Sequence, residues 1–179
     1  GLSLQETHFT LKKGEGFKLA SNWNYGIFKA KLTGEITSGG KVTLEGDAST
    51  AKIGDLDLGT VHLKGEAEKG KFSFNSTTKT VSVGGFSLSD TTVGVTNRTA
   101  NGAILTTVAG LTSIPHGPTA KIAGEVDTAG NYVLTGKENL KLAGITLNET
   151  TLKLEKGKGL QVEGKLNLLV FNSTVKGVI

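Results

Sequence analysis

Residues Ala30–Gly46, AKLTGEITSGGKVTLEG, return without a gap as Ala120–Gly136, AKIAGEVDTAGNYVLTG. Gly34 falls on Gly124, Gly40 on Gly130, Leu44 on Leu134 and Gly46 on Gly136, each 90 residues on (124 − 34 = 90). Leading into and through the first copy, Phe28, Ala30, Leu32, Gly34 and Ile36 share one phase, and Lys29, Lys31, Thr33 and Glu35 share the other. Period-two alternation of this kind is a strand with one apolar face and one wet face. TSGG at Thr37–Gly40 supplies the positive-φ residues of a tight hairpin turn, and Val42, Leu44, Gly46 and Ala48 come back on the apolar phase. The unit is a β-hairpin, and the chain carries it twice.

Outward from the hairpins the same grammar continues. Phe9 and Leu11, then Phe17 and Leu19, alternate on either side of a GEG turn; Leu56 and Leu58, Val61 and Leu63, and Phe72 and Phe74 make further short strands. GDLDLGTVHLKGEAEKGKFSF has a later counterpart in AGITLNETTLKLEKGKGLQVEG, with Gly54 on Gly144 and, after a one-residue slip, Leu63 on Leu152. FNST occurs at Phe74–Thr77 and again at Phe171–Thr174, now 97 apart (171 − 74 = 97). The duplication therefore spans most of the chain, with residues 1–84 as a first β unit and 85–179 as a second within one continuous structural domain. The expected fold is all-β: an elongated antiparallel sheet, rolled taco-like or as a solenoid, with a closed sandwich as the alternative.

Two stretches interrupt the alternation. Ser21–Gly26, SNWNYG, brings Trp23 and Tyr25 close together, either as a corner whose rings cover one end of the core or as a platform on which a sugar could stack. Between the halves, Ile104, Val108 and Leu111 hold helical spacing, which admits one short helix ended by Pro115 and Pro118.

Composition limits the chemistry. With no Cys there is no disulfide framework, thiolate metal site or cysteine nucleophile. The net charge of +4 is carried by lysines set singly along strands, not by a basic run interleaved with aromatics, which argues against nucleic acid as a partner. His8, His62 and His116 lie in different segments without ligand spacing, and Asp55 and Asp57 alternate onto one solvated strand face. Neither set composes a catalytic or metal site, so a non-catalytic protein without a cofactor is expected. Sequons at Asn75, Asn97, Asn148 and Asn172 match what an Asn- and Thr-rich β protein holds by chance. The longest apolar cluster, Leu168–Phe171, is too short to span a bilayer.

The unit ITLNETTLKLEKGKGLQVEGKLNL, with LDLGTVHLKGEAEKGKFSF, resembles the strand repeats of the AsmA/TamB-like proteins of diderm bacteria, and KVTLEGDA and YVLTGKEN look like strands of LptA-type lipopolysaccharide-transport proteins. The resemblance implies a curved sheet whose apolar concave side shields acyl chains in an extracytoplasmic setting, as part of a longer membrane-associated chain, with lipid as the partner. On that reading Leu32, Ile36, Val42 and Leu44 in the first half and Ile122, Val126, Leu134, Leu152 and Leu154 in the second line a groove. Gly34, Gly46, Gly124 and Gly136 then leave gaps for an acyl chain, or else admit a bend or another backbone. The alternative expectation is a secreted or surface fibre module of adhesin type, with Trp23 and Tyr25 stacking on glycan.

Overall fold

The computed structural model describes residues 3–12, 16–50, 52, 56–69, 71–114, 117–142, 144–168 and 171–179. Asp55, His116 and Pro115 lie outside them. The chain is all-β, with no helix among the described residues.

Among the described residues thirteen strands follow one another in a single meandering sheet whose spatial order is the chain order, every pair antiparallel. They are β1 (Ser3–Lys12), β2 (Gly16–Tyr25), β3 (Phe28–Ile36), β4 (Val42–Thr50), β5 (Thr60–Glu68), β6 (Lys71–Val83), β7 (Phe86–Ala100), β8 (Ala103–Ser113), β9 (Thr119–Asp127), β10 (Tyr132–Leu142), β11 (Ile145–Glu155), β12 (Gly159–Leu168) and β13 (Phe171–Val178). The meander suits the sequence because most of the polar, Gly-rich breaks are only long enough for a hairpin; the longest, 51–59 between β4 and β5, adds a bridge from Asp57 to Ser82 of β6 and buries Leu56 and Leu58. Asn101 (φ 50°) and Gly102 (φ 79°) turn β7 into β8, and Gly84 (φ 62°) with Gly85 (φ 79°) turns β6 into β7.

The duplicated hairpins share their pairing register beside the turn, and the β3–β4 ladder runs further, to Phe28 on Thr50. In β3–β4, Gly34 pairs with Leu44 and Ile36 with Val42; in β9–β10, Gly124 pairs with Leu134 and Val126 with Tyr132. Their turns match too, since Gly40 N–H donates to the Thr37 carbonyl and Gly130 N–H to the Asp127 carbonyl, each at 3.0 Å. Burial pushes the Asp127 carboxyl up, but hydrogen bonds from the Asn131 side chain and from the Asn131 and Ala129 backbone, with the Lys156 charge, outweigh it and hold it below the usual range.

The sheet rolls so that its apolar face turns inward. β3 alternates as expected, with Phe28, Ala30 and Leu32 buried and Lys29, Lys31 and Thr33 exposed. The glycines on the apolar phase are where it bends. A methyl group on Gly34 would lie 1.8 Å from the Thr43 carbonyl oxygen, and one on Gly124 1.9 Å from that of Val133. On Gly46 and Gly136 it would meet the Lys31 and Lys121 carbonyl oxygens at 2.0 and 2.1 Å. Backbone of the neighbouring strand therefore fills the space at all four positions.

The two expected interruptions are strands. Trp23 and Tyr25 lie in β2 on its inward phase; Asn22 and Asn24 simply occupy the outward phase. Ile104, Val108 and Leu111 belong to β8, not to a helix. Its inward positions are Thr106, Val108, Gly110 and Thr112, so hydroxyls and a glycine stand where apolar residues would have marked period two.

A recurring bulge explains that choice. Leu4–Thr7 (LQET), Leu88–Thr91 (LSDT) and Leu147–Thr150 (LNET) each place an acidic residue at positive φ, 49° at Glu6, 47° at Asp90 and 48° at Glu149. Pairing to the next strand slips by one residue at each, as an inserted residue requires. The buried Thr91 and Thr150 hydroxyls donate to the Leu88 and Leu147 carbonyls, both at 2.9 Å. Gly110 and Gly164 sit opposite, where a methyl group would come within 2.8 and 2.7 Å of those hydroxyls. At the first bulge Ser21 replaces the glycine, and its hydroxyl bonds to that of Thr7 at 2.9 Å.

Candidate functional site: an apolar cavity at the open end of the roll

The inward faces of β1–β6 do not close completely. Between them lies a 160 Å³ cavity lined by Thr7, Phe9, Leu19, Trp23, Ile36, Val42, Leu44, Ala67, Phe72 and Phe74. Alternation places each of these: the strands carry their apolar phase inward, and the roll brings β2 opposite β6, which are not sheet neighbours.

Aromatic contacts make that closure. Trp23 stands 5.4 Å from Phe74 and 6.3 Å from Phe72, ring centroid to centroid, and Tyr25 meets Phe72 edge-on at 4.8 Å. Trp23 is completely buried, and its indole N–H has no hydrogen-bond acceptor. Burial also pushes the Tyr25 hydroxyl up from its ordinary pKa. Neither ring offers a face to solvent, so the stacking platform that Trp23 and Tyr25 suggested is replaced by a wall of the core.

At the cavity mouth the apolar phase is uncovered. Phe9 is 58% exposed, Leu11 75% and Phe17 37%, with Phe9 and Phe17 in ring contact at 5.5 Å. An engineered apolar cavity of roughly 150 Å³ stays dry and binds benzene. A cavity of 160 Å³ has room for a ring or the end of an alkyl chain, and not for a whole lipid.

The expected groove residues divide between cavity and core. Ile36, Val42 and Leu44 line the cavity. Leu32, Ile122, Val126, Leu134, Leu152 and Leu154 are buried in the continuous hydrophobic core. The aromatic wall, Phe72 and Phe74 with Trp23, carries the same apolar phase in the sequence, but only the roll brings β6 against β2.

The outer face carries a larger hollow of 730 Å³, bordered by side chains such as His8, Lys18, Glu35, Glu45, Lys64 and Glu66. Two charge pairs cross strands there, Lys64 with Glu45 at 3.3 Å and Lys41 with Glu66 at 2.7 Å, and among the described residues no Phe, Tyr or Trp lines it. His8 is exposed, His62 bonds Asp47 at 2.8 Å, and Asp57 accepts from Gly59 N–H at 2.9 Å. Among the described residues no three His, Asp or Glu side chains gather to hold a metal.

Against known protein families, curated proteins and solved structures, the chain shows no match.

Proposed function

We propose that this protein is a non-catalytic, extracytoplasmic binding module that receives the apolar end of a lipid or similar ligand in the cavity between β1–β4 and β5–β6. The observation that carries the reading is a cavity walled by apolar side chains beside uncovered Phe9, Leu11 and Phe17. Small-molecule sites are concave and mostly apolar, with few polar groups. The ligand on this reading buries a short tail and leaves its head in solvent, in contrast to the continuous groove that the resemblance to lipid-transport repeats implies.

Trp23 is the sole tryptophan, so its emission reports on the cavity wall. A fatty acid brominated at its methyl end should quench it saturably. Ala67→Leu fills the cavity from β5 and should abolish the quenching while the melting temperature holds or rises, since cavity filling commonly stabilises by about 0.5–2 kcal/mol. Absence of saturable quenching, or equal quenching in Ala67→Leu, overturns the reading.

A further inference from the structure

We infer that the outer edges of β1 and β13, unpaired among the described residues, pair with each other between two copies of this chain, continuing the sheet head to tail. The argument comes from the junction already present inside the molecule, where β6 pairs with β7. β7 carries the same bulge as β1, LSDT against LQET, offset by 84 (88 − 4 = 84). β13 carries the β6 sequence, FNSTVK against FNSTTK, offset by 97. The described sheet thus has a β7-like strand at one edge and a β6-like one at the other, and inside the molecule those two kinds of strand are partners.

Exposure follows the same logic. Val93 and Val95, the β7 counterparts of Phe9 and Leu11, are 1% and 0% exposed with β6 beside them. Phe9 and Leu11, flanked by β2 on one side and by no second strand among the described residues, are 58% and 75% exposed, and at the other edge Val175 is 39% exposed. A bulge usually guards a free edge. This one does not prevent pairing, because β6 runs past Asp90 with Thr78 on Thr91 and Thr80 on Ser89, in unbroken register.

The internal register specifies the external one. Thr77 pairs with Thr92 and Asn75 with Gly94, so the offsets place Thr174 of one copy on His8 of the next and Asn172 on Thr10. Ser173 and Val175 then share the inward phase with Phe9 and Thr7. The interface is heterologous, so it builds open chains unless the rotation closes a ring.

The chain lacks Cys, which makes the test direct. His8→Cys and Thr174→Cys, mixed as single variants under mild oxidation, should give a disulfide-linked heterodimer, since directly opposed strand residues fall within disulfide reach. Thr10→Cys with Lys176→Cys, four residues out of register (176 − 172 = 4), should not. The unmodified protein should sediment faster as its concentration rises. A concentration-independent monomer without the in-register cross-link overturns the inference, as does a dominant disulfide between two His8→Cys chains.

Discussion

Gly34, Gly46, Gly124 and Gly136 occupy positions where strand pleating would put a core side chain, and the reason each is glycine lies in the neighbouring strand. A side chain there would have to displace a peptide carbonyl at 1.8–2.1 Å, and backbone cannot swing aside as a flexible side chain can. Gly34→Ala and Gly124→Ala should therefore each destabilise by about 1–3 kcal/mol, the usual range for overpacking. Thermal unfolding followed by circular dichroism reads this as a loss of about 2–4 °C per kcal/mol in a chain of this size. Gly177→Ala, with nothing within 4 Å of the added methyl, should leave the melting temperature unchanged. The sequence placed these glycines on the apolar phase, but a gap for a ligand and a gap for a carbonyl look alike in one dimension.

At the scale of elements, the bulged strands β1, β7 and β11 depart from the simple alternation, and each departure is local. An extra residue at Glu6, Asp90 or Glu149 shifts the pleat by one, so that Leu88 and Thr91, three apart, both face inward, as do Leu147 and Thr150. The threonine is buried because its hydroxyl reaches back to the leucine carbonyl, which stabilises the kink. Removing that hydroxyl without changing side-chain shape, as in Thr150→Val, should cost about 1 kcal/mol for the lost buried hydrogen bond. A urea titration should show the fall in midpoint, whereas Thr33→Val on the exposed face of β3 should leave it in place. The tetrapeptides LQET, LSDT and LNET were open to inspection as a repeat, yet their irregular spacing hides them beside the 90-residue echo.

For the molecule as a whole, β1–β6, the expected first unit, and β7–β13, the expected second, share one core. The β2–β3 turn reaches the second unit, where a methyl group on Gly26 would meet Thr128 and Ile104 at 2.9 and 3.4 Å. The β6–β7 turn likewise abuts β10 through Gly84 and Tyr132. Shared packing of this kind couples the units, so unfolding should be a single transition. Trp23 emission, which reports on the first unit, and far-ultraviolet circular dichroism, which reports on all strands, should give the same denaturation midpoint; separated midpoints would show two units that fold apart.

Alternation, turn chemistry and the duplicated hairpin determined by themselves that this chain is an antiparallel all-β protein with a repeated unit, because pleat and hairpin geometry are local properties read over a few residues. They also determined which residues point inward along β3, β4, β9 and β10. What only the tertiary structure decided is how that inward face is used. Rolling the sheet sets β2 against β6, buries Trp23 and Tyr25, and packs Leu32, Ile122 and Leu134 into core. It leaves Ile36, Val42 and Leu44 on a cavity beside the edge strand β1, since the space opposite a residue is set by strands far away in the chain.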